Sequence, residues 1–278
     1  LNLKSSTHTA GVWRNSTAFT ATWTKATDTG CAGVDGLSYS LTYATAGTPS
    51  TTPNLSAVTT SKSLTVPNST SGYYFNLRVK DRSTNLSATR SYGPIKVDTT
   101  KPVVSSVSIN SGATYTTSTS VSVRASGSDS YSGLRYMQYS MNGSTWSGHY
   151  TYSTAARTIL LTNWGGSTAE GLRRVYVRFR DNAGNYSTAK YDTINYLRLS
   201  KITSSSPTSL RTVTNGAFRL SGSDFVGTTQ VQFGAATLGS SSQKWYYGYF
   251  RVSSDSTLYV YPPQAWNPGT YGIRVRNS

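Results

Sequence analysis

Few groups in this chain are suited to chemistry. Two histidines, His8 and His149, one cysteine, Cys31, and ten carboxylates make up the acid–base and nucleophilic inventory. A Ser-His-Asp triad needs one of those histidines. His8 lies in a polar N-terminal stretch and His149 follows Gly148, so both read as surface residues. A glycosidase needs two carboxylates facing each other across a cleft, and ten acids spread along 278 residues offer no obvious matched pair. No enzyme is expected. The same counts exclude a Cys/His zinc site and an internal disulfide. Cys31, between Gly30 and Ala32, reads as a small filler of a loop or core. Asp81 opens the run Asp81-Arg82-Ser83-Thr84-Asn85, and Asp181 opens Asp181-Asn182-Ala183-Gly184-Asn185. A carboxylate in such a turn suits calcium, which takes oxygen ligands. One Asp per turn is too few for a tight site, so its expected role is an Asx-type hydrogen bond to its own turn. Neither a metal nor a cofactor is expected.

Binding is better provided for. Trp245, Tyr246, Tyr247, Tyr249 and Phe250 form an aromatic run flanked by Lys244 and Arg251. On a strand, alternation buries some of these rings and exposes the others as candidate interface or glycan contacts. Trp146, Tyr150, Tyr152 and Trp164 form a second aromatic group, expected to pack as core. Arg174, Arg178 and Arg180, with Tyr176, alternate along one stretch. They are a candidate anionic-ligand row, with a solvated sheet face as the simpler role.

The elements that position these residues are strands. In Tyr73–Asp81, Tyr73, Phe75, Leu77 and Val79 share one face, and Asn76, Arg78 and Lys80 the other. In Leu172–Asp181, Val175, Val177 and Phe179 point in, while Arg174, Tyr176, Arg178 and Arg180 point out. Arg78-Val-Lys-Asp81 and Arg178-Phe-Arg-Asp181 stand 100 residues apart, each followed by Asn four residues after the Asp, which is an internal repeat of one domain length. Short alternating runs with turn residues between them recur along the chain, the signature of an all-β sandwich. Asn142-Gly143 predicts a type I′ hairpin turn. Pro102 in Thr99-Thr-Lys-Pro102 marks a boundary, because proline cannot join a strand ladder.

Composition agrees. Charged residues are 13% of the chain and glutamate occurs once, at Glu170, which excludes a helical bundle. Net charge is +16. Divided at residues 98 and 197, the thirds carry nine basic against four acidic residues, nine against four, and eight against two. An even excess does not suit a dedicated nucleic-acid module. No run of 18 apolar residues is available to span a membrane. Leu1 in place of Met points to a piece of a longer precursor. Abundant Ser, Thr and Tyr resemble secreted bacterial or archaeal surface proteins.

Particular residues carry closer resemblances. Trp23 in Phe19–Trp23, Tyr73 and Val66 make the first segment resemble a fibronectin type III or related immunoglobulin-like domain. The resemblance implies a buried Trp23 and a tyrosine corner at Tyr73. Val121, Val123, Gly133–Trp146 and the Asp181–Asn185 turn make the second resemble bacterial extracellular immunoglobulin-like repeats. Ile202–Pro207, Phe218–Phe225, Val231–Gly234, Ser253–Val260 and Pro268–Val275 make the third resemble an IPT/TIG domain. The fold expected is all-β, three tandem immunoglobulin-like β-sandwiches over 1–98, 99–197 and 198–278. The function these resemblances imply is a non-enzymatic extracellular structural or adhesion protein. It would be a subunit or stalk of a surface fibre, appendage or matrix, partnered by itself or other surface proteins. The alternative is a carbohydrate-binding accessory region. No specific nucleic acid is expected.

Overall fold

The structure is a computed structural model and describes residues 1–30, 32–206, 217–226, 228–233, 236–238, 249–261 and 272–277. It is three β-sandwiches in tandem, with one 3₁₀ turn, Asn110–Gly112, among the described residues. No helix among them is long and apolar enough to cross a membrane. Residues 1–113, 120–168 and 173–193 form one compact unit, and 114–119, 169–172 and 194–278 form the other.

The first sandwich has strands β1 (Lys4–Ser5), β2 (Trp13–Arg14), β3 (Ala18–Thr22), β4 (Val34–Tyr43), β5 (Leu55–Ser56), β6 (Ser61–Thr65), β7 (Tyr73–Asp81) and β8 (Arg90–Val97). They form a sheet of order β1-β3-β6 and one of order β2-β8-β7-β4-β5. Alternation closes the core between them: Phe19, Ala21, Trp23 and Val66 meet Leu37, Phe75, Leu77, Ile95 and Val97. Tyr73 and Val79 are partly buried against it. Trp23 is buried as expected, and its Nε1–H donates to the Thr59 carbonyl at 2.9 Å.

Two residues of this sandwich depart from expectation. The opposite face of β7 is not open to water. Asn76 is fully buried, because the connection after β4 folds over it. Its Oδ1 accepts from Gly47 N–H at 3.1 Å and Ser91 Oγ at 2.7 Å, and its Nδ2 donates to Thr42 Oγ1 at 3.0 Å. His8 is likewise buried, its ring 5.7 Å from that of Phe19. Nε2 meets the Ser16 carbonyl at 3.0 Å and Nδ1 the Thr7 hydroxyl at 3.0 Å. A neutral ring protonated at Nε2 satisfies both partners. Burial lowers the His8 pKa from 6.5 despite the favourable Ser16 contact, and Arg14 lowers it further. The unfolded chain therefore binds this proton more tightly than the folded one. Stability from His8 is complete above about pH 6.5 and is lost as pH falls through that value towards the folded pKa. Urea midpoints for the first sandwich should fall between pH 7.5 and pH 5. A His8→Gln variant should lose that part of the slope, and an unchanged slope would exclude His8 as its source.

The second sandwich has β9 (Val103–Ile109), β10 (Tyr115–Thr116), β11 (Ser120–Ser128), β12 (Leu134–Ser140), β13 (Tyr150–Thr151), β14 (Arg157–Leu160), β15 (Gly171–Asp181) and β16 (Lys190–Tyr196). Their sheet orders are β14-β11-β9 and β10-β16-β15-β12-β13. Val121, Val123, Val175, Val177 and Phe179 are buried, as period two requires. The predicted type I′ turn is corrected. Gly143 has φ 75°, but Asn142 does not take positive φ. The Asn142 side chain closes the turn instead, its Oδ1 accepting from Ser144 N–H at 2.9 Å and Thr145 N–H at 2.8 Å. Such local bonds compete with a tight hairpin.

The third sandwich has β17 (Lys201–Ser206), β18 (Phe218–Ser223), β19 (Thr228–Phe233), β20 (Ala236–Leu238), β21 (Tyr249–Ser254), β22 (Thr257–Tyr261) and β23 (Ile273–Asn277). Sheets β17-β18-β22-β21 and β20-β19-β23 enclose Leu220, Phe225, Val231, Phe250, Leu258 and Val260.

Candidate functional site

The arginine row lies on the outer face of β15, where period two puts it. Register sets Arg178 opposite Gln138 and Arg180 opposite Tyr136 on β12. The row is not a set of free cations. The Arg178 guanidinium sits 4.1 Å from the centre of the Trp146 ring and 4.6 Å from that of Tyr186. Its Nε–H donates to Gln138 Oε1 at 3.0 Å. Gln138 is buried and donates through Nε2 to the Ser147 carbonyl at 2.6 Å, which anchors the segment carrying Trp146. Arg180 lies 5.5 Å from the Tyr186 ring, and Arg174 lies 5.5 Å from that of Tyr191. Tyr191 also meets Tyr176, ring centres 5.0 Å apart. His149 is exposed and stacks on Tyr186, its Nε2 2.8 Å from the Tyr186 hydroxyl.

The result is a ladder of alternating cations and rings. Cation–π contact uses the flat face of a guanidinium and leaves its edge donors for another partner. The aromatic members come from three chain segments that no short motif links, so the sequence signalled the arginines but not their clamps. Tyr186 is the exception: it follows the repeated Asp-to-Asn turn, and an isolated bridge pairs it with Arg180.

The other aromatic groups divide. Tyr139, Tyr150 and Trp164 pack on one another, with centres 5.8 to 6.4 Å apart, and Tyr152 packs edge-on to Phe179 at 5.1 Å. These are core contacts, as expected, but Trp146 leaves the group for the ladder. In the third sandwich Phe250 is core, 2% exposed, and is corrected as a candidate contact residue. Tyr249 faces the other way and stacks on Tyr261 at 4.3 Å. Trp245, Tyr246, Tyr247 and Cys31 lie outside the described residues.

Both Asp turns make the expected Asx bonds. Asp81 Oδ1 accepts from Asn85 N–H at 2.7 Å, and Asp181 Oδ1 accepts from Asn185 N–H at 2.8 Å. Each Asn returns its Nδ2 to the second carboxylate oxygen, at 2.8 and 2.7 Å. The electrostatics nonetheless run in opposite directions. The Asn85 side chain holds the Asp81 carboxyl below its usual value. Burial pushes Asp181 up, against the hydrogen bonds from Asn185 and Gly184, and the Asp98 charge pushes it the same way.

No protein-family profile matches the chain, and no curated protein does. Solved structures similar to it include fibronectin(III)-like modules. The fibronectin(III)-like modules of Clostridium thermocellum CbhA share 13% identity over 70% of this chain and 94% of theirs, with a TM-score of 0.38. The FN1–FN3 domains of chicken CNTN1 share 12% over 99% and 97%, with a TM-score of 0.30. SGBP-B of the Bacteroides ovatus mixed-linkage glucan utilization locus, solved with a mixed-linkage heptasaccharide, shares 11% over 100% and 65%, with a TM-score of 0.23.

Proposed function

We propose that this chain is a non-enzymatic extracellular structural or adhesion array, a subunit or stalk of a surface fibre, appendage or matrix. Its three domains would span 1–98, 99–197 and 198–278, and the last keeps the IPT/TIG resemblance described above. The observation that supports this reading is the ladder on β15. Trp, Tyr and Arg are the side chains that carry most binding energy at protein interfaces. Here Arg178 is already ordered between Trp146 and Tyr186, so docking against it loses little rotamer freedom. The partner is a second copy of the chain or another surface protein.

Light scattering and negative-stain images of the whole chain, in low and high salt, test this. Large ordered assemblies that survive high salt are the expected result, because apolar ring contacts are not screened. A 30.0 kDa monomer at both salts would sink self-assembly by this region. If that monomer also shifted on binding a glycan, the carbohydrate-binding alternative would replace the structural one.

A further inference from the structure

Three carboxylates from distant points in the chain meet within the first compact unit. Asp98 follows β8, Asp129 follows β11, and Asp181 ends β15. One oxygen from each lies within 4.8 Å of the other two. Asp98 and Asp181 are 0% and 1% exposed, and Asp129 is half-buried. Among the described residues no Lys, Arg or His forms an ion pair with any of them.

Buried like charges this close repel, so the group needs either a proton or a cation. The donors around it favour ionised oxygens. Asp98 accepts from Thr100 N–H at 2.9 Å and Ser132 N–H at 3.1 Å. Asp129 Oδ2 accepts from Gly133 N–H at 2.7 Å and Tyr131 N–H at 3.2 Å. Asp181 Oδ1 accepts from Gly184 N–H at 2.6 Å and Asn185 N–H at 2.8 Å, and Oδ2 from Asn185 Nδ2 at 2.7 Å. Backbone N–H groups cannot give up those protons, so every bond favours the charged form.

Two atoms break this pattern. Asp129 Oδ1 is buried with no hydrogen-bond partner, and so is Ser132 Oγ. Ser132 is 8% exposed, and its own N–H is bonded to Asp98 Oδ2, so this residue borders the cluster. A buried polar atom left unpaired is costly, and here two residues of one uncompensated negative region each carry such an atom.

The geometry points to a calcium site formed by Asp98, Asp129 and Asp181, with the Ser132 hydroxyl as a neutral oxygen beside them. An all-oxygen, anionic donor set selects a hard cation. Oxygens on opposite sides of Ca²⁺ stand about 4.8 Å apart, twice the usual bond of about 2.4 Å. Separations up to that limit are those found between oxygens sharing one Ca²⁺. Mg²⁺ bonds at about 2.1 Å, demands a near-ideal octahedron and gives up its water reluctantly, so a site built of protein oxygens favours Ca²⁺. With only three carboxylates and one hydroxyl, water completes the shell, and the affinity belongs in the range of extracellular modules, on the order of 10⁻⁴–10⁻³ M. The site takes Asp98 from the end of the first sandwich and Asp129 and Asp181 from the second, so the ion ties the two together.

The test uses the whole chain, stripped with EDTA, then titrated with CaCl₂ or MgCl₂ while melting temperature and binding heat are recorded. A saturable heat and a higher melting temperature in Ca²⁺ are expected. Asp129→Asn should weaken Ca²⁺ binding at least ~tenfold, in line with the loss of a charged ligand. In EDTA the variant should melt no lower than the wild type, since a like charge has gone. If that variant does not fold, wild-type Tb³⁺ luminescence replaces it: Tyr131 should sensitise the ion, Ca²⁺ should displace it, and Tyr131→Phe should dim the signal without changing the Ca²⁺ needed. No response to Ca²⁺, a response unchanged in Asp129→Asn, or an equal response to Mg²⁺ would each overturn the assignment. So would an EDTA-treated protein that gains as much melting temperature at pH 5 as Ca²⁺ confers at pH 7.5, because a proton would then be the natural occupant.

Discussion

Phe75→Ala should destabilise the first sandwich by about 3–5 kcal/mol, the usual range for emptying a large aromatic site in a core. Phe75 has no exposed surface. Its ring stacks against Tyr39 at 5.5 Å and Trp23 at 6.0 Å, and meets Phe19 at 5.9 Å. These neighbours sit on both sheets, in rigid backbone, and cannot close around the space that Ala leaves. A domain holds only about 5–15 kcal/mol in total, so the loss consumes much of what is available. Urea unfolding followed by tryptophan fluorescence measures it, because Trp23 reports on this core directly. Its transition should move to lower urea at constant slope, which marks a change of stability rather than of compactness. Phe75→Leu should lose less, since much of the volume remains. A Phe75→Ala loss under about 1 kcal/mol, well below the range for such sites, would mean that the core repacks and that the two sheets are less firmly held than the contacts indicate.

Gly127→Ala should strongly destabilise the second sandwich. Gly127 lies on β11 at a register shift, where the strand slips by a residue against β9. A Cβ there would stand 2.0 Å from the Val103 carbonyl oxygen and 2.5 Å from Phe179 Cε2. Neither neighbour is a flexible chain end. One is backbone of the paired strand, and the other is a ring with no exposed surface. The bulge must open or Phe179 must leave its site, at about 3 kcal/mol or more. Gly148→Ala is the matched control. It has no atom within 4 Å of the added Cβ and no positive φ, so it should be neutral or gain a few tenths of a kcal/mol through the unfolded chain. Thermal melts of both variants decide the matter. Equal effects would show that the cost at Gly127 does not come from the close approach.

Much of this architecture is written in the spacing of apolar residues. Period two put Phe75 and Leu77 inside the first sandwich and Val175, Val177 and Phe179 inside the second, because a strand turns successive side chains to opposite faces and every second one to the same face. The split between Phe250 and Tyr249 follows from the same rule. So do the Asx turns at Asp81 and Asp181, since a carboxylate and an amide four residues on can find each other without help from the rest of the chain. The outward positions were less legible. Period two says that Asn76 and Arg178 leave the core side, but not what waits on the other. A connection folds over Asn76, and Trp146 and Tyr186 close over Arg178. His8 showed the same limit: a polar neighbourhood in sequence became a buried ring against Phe19.

The two Asp turns separate what each level decides. Residue types and a spacing of four determine that both carboxylates bind their own turns. They cannot determine that one is lowered and the other raised, because that depends first on burial and then on charges far away in the chain. Asp98 lies 83 residues before Asp181, and Asp129 lies 52 before it. Only the packing of the second sandwich against the end of β8 brings all three together. Local bonds are short-range and survive in any fold that permits the turn. Desolvation and like-charge repulsion depend on what surrounds a carboxylate, and in this protein tertiary structure alone supplies those surroundings.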